Sequence, residues 1–140
     1  MINVLLAEDH HIVRSGIKSL LDNETDINVI GEASNGKEAI RILEDGTGAG
    51  LVVTDLNMPG MSGNELILYL RANFPFIKIV VLSMSDNEKY VFEAFEAGAD
   101  GYLLKNISKE ELVFAVKHIT SGGQYICAEL SLRMLKKLSI

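Results

Sequence analysis

At 140 residues, with 48% hydrophobic and 23% charged residues, the chain has room for one packed core, is short for two, and has the composition of neither a disordered nor a fibrous protein. A net charge of -6 and a pI near 5.0 exclude nucleic-acid binding by this stretch itself, because phosphate contacts need clustered Lys and Arg and only Arg133, Lys136 and Lys137 are locally basic. The single cysteine, Cys127, excludes an internal disulfide; no apolar run has the length of a membrane span, and Met1-Ile2-Asn3 lacks a cationic signal start, so the cytoplasm is the expected compartment.

Short runs of Val, Ile and Leu alternate with segments of helical period, which is the pattern of parallel strands joined by crossover helices. The first strand is expected over 3-7 and ends on the acidic pair Glu8-Asp9. A helix follows, in which Val13, Ile17, Leu20 and Leu21 recur at i, i+4, i+7 and i+8. The second strand is expected over 27-33, and Asn35-Gly36 opens the second helix. Gly46-Thr47-Gly48-Ala49-Gly50 precedes the third strand, 51-54; a phosphate loop follows a strand instead, so this stretch reads as a connection. The third strand gives way across Thr54 to Asp55, with a turn at Pro59-Gly60. The fourth strand, 78-82, ends on Ser83, and the helix after it carries a stripe of Val91, Ala94, Phe95 and Gly98. Gly98-Ala99-Asp100-Gly101 leads into the fifth strand, 101-104, which ends on Lys105; Leu112, Ala115, Val116 and Ile119 mark the fifth helix. Beyond Gly122-Gly123, residues Leu130, Met134, Leu135 and Leu138 are only partly periodic and read as a linker helix.

Asp55 organises the functional reading. An ionised carboxylate at the end of an apolar strand is costly without a cation or a donor network. In an open parallel sheet, ligands collect outside the carboxyl ends of the strands where strand order reverses, and the first and third strands are expected to flank that point. Glu8, Asp9 and Asp55 then share one crevice, joined by Ser83 and Lys105 from the next two strand ends. Three close carboxylates repel unless a divalent cation sits among them, and oxygen ligands select a hard ion such as Mg²⁺. Asp can act as a nucleophile toward a phosphoryl donor, and the metal, Lys105 and the Ser83 hydroxyl suit the charge on the transferring oxygens.

These residues carry a resemblance to the receiver domain of bacterial two-component response regulators over about residues 2 to 119. Its marks are Glu8-Asp9, Asp55 with Met58-Pro59-Gly60-Met61-Ser62-Gly63, Leu82-Ser83, and Gly98-Ala99-Asp100-Gly101-Tyr102-Leu103-Leu104-Lys105. The resemblance implies a flavodoxin-like (βα)5 fold, a doubly wound parallel five-stranded sheet of order 2-1-3-4-5 with helices on both faces. It implies that Asp55 accepts a phosphoryl group from a sensor histidine kinase and that Asp9, Asp55 and the backbone carbonyl of Asn57 bind Mg²⁺, with Glu8 acting through a water. Ser83 would bond the phosphoryl oxygen, Lys105 would pair with it, and Tyr102 would be the switch aromatic that moves inward. Ala33-Ser34-Asn35-Gly36-Lys37-Glu38-Ala39, Gly101-Tyr102-Leu103-Leu104-Lys105 and Gly122-Gly123-Gln124-Tyr125 are similar to NarL/FixJ-like regulators, whose receiver precedes a LuxR-type helix-turn-helix domain. Residues 1-121 are then the receiver and 122-140 a linker toward a DNA-binding half absent from this sequence; a truncated chain is expected rather than a natural single-domain protein. Partners implied are the kinase, a second copy on phosphorylation with Tyr90, Val91, Phe92 and Phe114 as apolar edges, and DNA only through the absent half.

The sequence departs from the wider receiver pattern at two positions. Asn106 stands where many receivers have Pro, so no cis bond is expected, and Met84 is larger than the small residue common after the switch hydroxyl. Met84, with Asn57 and Ser85, is expected to set the lifetime of the phosphorylated state.

Each residue taken alone has a plainer reading. Asp9 suits a helix cap, Asp55 a turn, Ser83 a buried hydroxyl bonded to backbone, Lys105 a solvated loop position and Tyr102 a strand aromatic. Their joint placement at four strand ends favours function. His10 and His11 are neighbours that point apart on a helix and do not form a chelating pair, and His118 reads as an ordinary residue near a helix end. An aspartyl-phosphate hydrolase is disfavoured, because such enzymes place the nucleophile after the first strand with a second Asp two residues on, where this chain has Asn57. A pseudo-receiver that only binds partners is disfavoured by the intact acidic pair, phosphoacceptor and lysine; a stand-alone receiver signalling by protein contact is the remaining alternative.

Overall fold

A computed structural model describes residues 1–138, so the last two positions of the expected linker lie outside the described residues. Six strands alternate with six helices: β1 (Ile2–Ala7), α1 (His11–Asp22), β2 (Ile27–Ala33), α2 (Gly36–Glu44), β3 (Leu51–Thr54), α3 (Gly63–Asn73), β4 (Lys78–Ser83), α4 (Glu88–Ala97), β5 (Gly101–Leu104), α5 (Lys109–Thr120), β6 (Tyr125–Ile126) and α6 (Ala128–Leu138). All strand pairs are parallel, in the order β2-β1-β3-β4-β5-β6. The expected flavodoxin-like order holds through β5.

The central strands are apolar throughout because helices cover both faces. Val4, Leu5, Leu51, Val52, Ile79, Val80 and Leu103 are buried without alternation. On one face Lys117 of α5 pairs with Glu24, in the connection after α1, at 3.4 Å. On the other, Tyr69 of α3 donates to Glu44 of α2, and Arg71 of α3 donates to the Gly98 carbonyl beyond α4 at 2.7 Å. The helical stripes pack as their spacing predicts, with Ile17 and Leu21 of α1 and Leu112, Ala115, Val116 and Ile119 of α5 all buried. Helix starts are closed by Asn35, Ser62, Asn87 and Ser108, each accepting a backbone N–H; Ser62 and Glu65 form a reciprocal capping box.

Two expectations, and the plainer reading of Asp9 as a helix cap, need correction. The sheet has six strands rather than five, since Tyr125 N–H donates to the Asp100 carbonyl and Cys127 N–H to the Tyr102 carbonyl. Two residues are too few to show a strand period in sequence. Val91 is not an exposed edge: it is buried in the core, because it lies on the inward stripe of α4, whereas Tyr90, Phe92 and Phe114 are exposed. Asp9 does not cap the first helix either; His10 occupies that position in extended conformation, with no side-chain cap.

The segment after α5 is anchored. Cys127 and Leu130 are buried, and Glu111 of α5 accepts both the Tyr125 hydroxyl at 2.6 Å and the Ala128 N–H at 2.8 Å. Burial, reinforced by the Glu111 carboxylate, pushes the Tyr125 phenol up to about 12. A neutral phenol favoured by folding stabilises fully below the unfolded tyrosine value and loses that contribution as pH rises through the folded one. Ultraviolet titration is therefore expected to show a tyrosinate transition near pH 12, and Tyr125→Phe removes it.

Candidate functional site

The site is built by register. Ala7 lies beside Thr54, Thr54 beside Val81, and Ser83 beside Leu104, so the residues that follow β1, β3 and β5 emerge together at one sheet edge. Asp55 N–H donates to the Ala7 carbonyl and Lys105 N–H to the Ser83 carbonyl, which extends the ladder one step past the strands. The buried acidic and hydroxyl groups at this end are Glu8, Asp55, Ser83 and Thr54, the last donating to the Asp55 carbonyl.

Both carboxylate oxygens of Asp55 have donors. The Leu56 N–H reaches Oδ1 at 2.7 Å, and Lys105 Nζ stands 3.1 Å from Oδ2. Lys105 also lies 2.5 Å from Glu8 Oε1, so one ammonium bridges two buried carboxylates. Burial pulls the Lys105 pKa down, but its bonds to Glu8 and Asp55 outweigh that and leave it above the ordinary lysine value. The cation required by a carboxylate at the end of an apolar strand is thus supplied within the chain.

The acidic pair is divided in its environment. Glu8 is engaged at both oxygens, by Lys105 at Oε1 and by the backbone N–H of His10, 3.1 Å away, at Oε2. Asp9 Oδ1 is buried and makes no hydrogen bond, with the His10 ring nitrogen 3.3 Å away. Glu8, Asp9, His10 and Asp55 each offer an atom within 4.8 Å of the others. Three carboxylates, one with an unmet buried oxygen, form a donor set that fits a hard divalent cation.

Ser83 is fully buried and its hydroxyl accepts the Ser85 N–H at 3.0 Å. Tyr102 is also fully buried, and its hydroxyl donates to the Ser85 carbonyl at 2.8 Å. The aromatic expected to move inward stands inward here. Burial raises its pKa, against a lowering by the Ser83 hydroxyl. Asn57 lies exposed in the turn after Asp55, and Met84 is exposed beside the site. Among the described residues there is no cis peptide bond, in keeping with Asn106.

Two contributors escaped the sequence reading. His10 reads in sequence as a helix position, yet as the residue before α1 it turns its ring nitrogen toward the acidic pair while remaining exposed, as His11 is. The His-His adjacency held no signal for this, since the helix start decides the direction of the ring. Gly63 begins α3 directly against the Asp55 turn: a Cβ there would clash with the Asp55 carbonyl oxygen and lie 2.7 Å from Leu56 Cα. Its N–H donates to the Leu56 carbonyl at 2.8 Å, fixing the turn that presents Asp55. The Ser62-Gly63-Asn64-Glu65 capping signal was available in sequence, but the close approach was not.

Residues 4–117 match the response regulator receiver domain family. The chain is 42% identical over 126 residues to the nitrate/nitrite response regulator protein NarL of Escherichia coli, covering 90% of this chain and 57% of NarL. It is 34% identical to the response regulator UvrY of E. coli, over 96% of this chain and 61% of UvrY. The chain therefore spans little more than half the length of these relatives. Among solved structures, a LuxR-family two-component response regulator from Aurantimonas superposes with a TM-score of 0.91 at 30% identity, covering 99% of this chain and 98% of that one. The isolated receiver domain of RcsB from Salmonella enterica, solved with the phosphomimetic BeF3⁻, superposes with a TM-score of 0.86 at 31% identity, covering 93% and 96%. With the acidic cluster, the lysine bridge and the 2-1-3-4-5 strand order, these matches show that the chain belongs to the response regulator receiver domain family, among the NarL- and LuxR-type regulators.

Proposed function

We propose that the chain is a phosphorylation-dependent switch in which Asp55 accepts a phosphoryl group from a sensor histidine kinase. The observation that carries this reading is the setting of Asp55: a buried carboxylate at a strand end, faced by Lys105 and beside an acidic pair with one unsatisfied oxygen. Asp9, Asp55 and the backbone carbonyl of Asn57 would hold Mg²⁺, with Glu8 acting through a water. Bound there, the ion supplies positive charge against the transferring phosphoryl oxygens. The engagement of both Glu8 oxygens by protein donors supports an indirect role for that residue.

A carboxylate oxygen of Asp55 forms the new P–O bond as the P–N bond of the donor's phosphohistidine breaks, the electron pair remaining on the imidazole nitrogen. Lys105 exchanges its pairing with Asp55 for the phosphoryl oxygens, and the Ser83 hydroxyl donates to another of them. The domain assists its own phosphorylation and dephosphorylation and turns over no separate substrate. The new contacts would shift an existing equilibrium on the α4, β5 and α5 side of the sheet, where β6 covers the β5 edge and α6 is paired to the start of α4, and where Tyr90, Phe92 and Phe114 remain exposed for self-association. A related RcsB structure, with a TM-score of 0.88 at 32% identity, is described as two dimers bound to two parallel DNAs. It supports a dimeric output through DNA-binding residues beyond this chain, joined by the linker at 122-140.

Incubation with acetyl phosphate and Mg²⁺ is expected to add one phosphoryl group by intact-mass measurement, with no addition to Asp55→Asn or in excess chelator; an unmodified wild type sinks the switch. Lys105→Met leaves Glu8 and Asp55 facing each other uncompensated. Urea unfolding should show a loss of about 3 kcal/mol at pH 7. Met84 borders the cleft beside Ser83 and Lys105 and would restrict water's approach to a phosphoryl group there, so Met84→Ala should shorten the lifetime of the phosphorylated state; an unchanged dephosphorylation rate removes that role.

A further inference from the structure

The segment from Ser83 to Glu88 connects the phosphoacceptor region to α6. Ser85 holds two members of the site at once, since its N–H donates to the Ser83 hydroxyl and its carbonyl accepts the Tyr102 hydroxyl. The next residue, Asp86, lies 2.5 Å from Arg133 of α6, whose other terminal nitrogen lies 2.5 Å from Glu129. Lys137, one turn further, lies 3.3 Å from Glu88 at the start of α4. Between them is a cleft of about 220 Å³, lined by Ser83, Met84, Asp86 and Lys105 on one side and by Glu129 and Arg133 on the other. Helix α6 therefore forms one wall of a cleft whose opposite wall contains the switch hydroxyl and the site lysine.

The two ends of α6 are held differently. At its start, Cys127 and Leu130 are buried, and Cys127 N–H donates to Tyr102. Its later turns are held by the partly buried Met134, which packs against the core, and by the Arg133 and Lys137 ion pairs to the β4–α4 loop and α4, whose members are partly exposed; Leu132, Leu135 and Leu138 are exposed. Exposed ion pairs are individually weak. That weakness suits a contact that must release.

We infer that Asp86 and Arg133 latch α6 to the loop after Ser83, and that engagement of Ser83 at Asp55 loosens this latch and frees the later turns of α6. This rests on the phosphoacceptor reading of Asp55. Ser85 follows the Ser83 hydroxyl through its N–H, and Asp86 moves with it; the start of α6 stays fixed by Cys127 and Leu130, so the Asp86–Arg133 pairing is strained between two anchors. Linkage makes the effect reciprocal: a variant that releases α6 binds a phosphoryl mimic more tightly by the factor that the mimic loosens α6.

Amide hydrogen exchange over residues 128–138 tests this, with Mg²⁺ and beryllofluoride as the mimic and ¹⁹F NMR counting the bound fluoride. In the wild type, beryllofluoride should raise α6 exchange roughly two- to fivefold, the range an exposed ion pair spans, with α5 unchanged. Arg133→Gln and Asp86→Asn should show raised exchange without the mimic, respond little to it, and bind it more tightly. Wild-type exchange in both single variants, or bound beryllofluoride with α6 exchange unmoved, overturns the latch. Absence of bound fluoride fails the phosphoacceptor reading, and the unliganded variants then decide the latch by themselves.

Discussion

A buried carboxylate at the end of an apolar strand must meet positive charge, and in this protein the Lys105 ammonium meets it while also meeting Glu8. Three groups from three strands thereby become one electrostatic unit. Each is costly to bury alone, and the unit exists because parallel strands in register deliver their carboxyl ends to one edge. The Ala7, Thr54, Val81 and Leu104 positions set that edge, and the backbone bonds just beyond them hold it. Core packing and site geometry are therefore one constraint: shifting a strand by one residue would turn its apolar set outward and carry its terminal side chain away from the lysine.

This arrangement leaves one deficit that the chain does not fill. Glu8 and Asp55 have donors at every carboxylate oxygen, whereas Asp9 keeps a buried oxygen with no hydrogen bond. A hard cation beside Asp9 would relieve that deficit. The same lysine that stabilises the resting cluster is positioned to follow new negative charge at Asp55, because its four-carbon stem allows the ammonium to change partners over a short distance.

Downstream of the site, Ser83, Ser85 and Tyr102 form a short hydrogen-bonded chain that ends beside Asp86 and α6. The backbone of Tyr102 also bears Cys127, at the entry to the same helix. Helix α6 is thus connected to Ser83 and Tyr102 both by main-chain bonds on one side and by ion pairs on the other. The main-chain route is rigid and buried, and the ionic route is exposed and adjustable. A change at Ser83 has a physical path to the end of the described chain.

Much of the fold was legible from residue order: apolar runs over 51-54 and 101-104 and the spacing of Leu112, Ala115, Val116 and Ile119 reappear as strands and a buried helical stripe. The site residues were legible because each follows such a run, so chain connectivity alone puts it at a strand end. Other features depended on contacts between distant segments. Two residues at 125–126 have no period to reveal a strand, and only the hydrogen bonds that the Tyr125 and Cys127 N–H groups donate to the Asp100 and Tyr102 carbonyls make them one. Val91 looked like an edge and is core, because α3, α4 and the sheet decide which side of α4 is covered. His10 turns toward Glu8 and Asp9 because the first helix begins after it, and Gly63 is needed because α3 starts against the Asp55 carbonyl. By itself the sequence determined the strand-helix alternation, the inward stripes and the chemistry offered at each strand end, all of which are local properties of the chain. Only the tertiary structure decided which charges meet, which oxygen is left unmet and which face α6 covers, because those depend on distances between residues far apart in sequence.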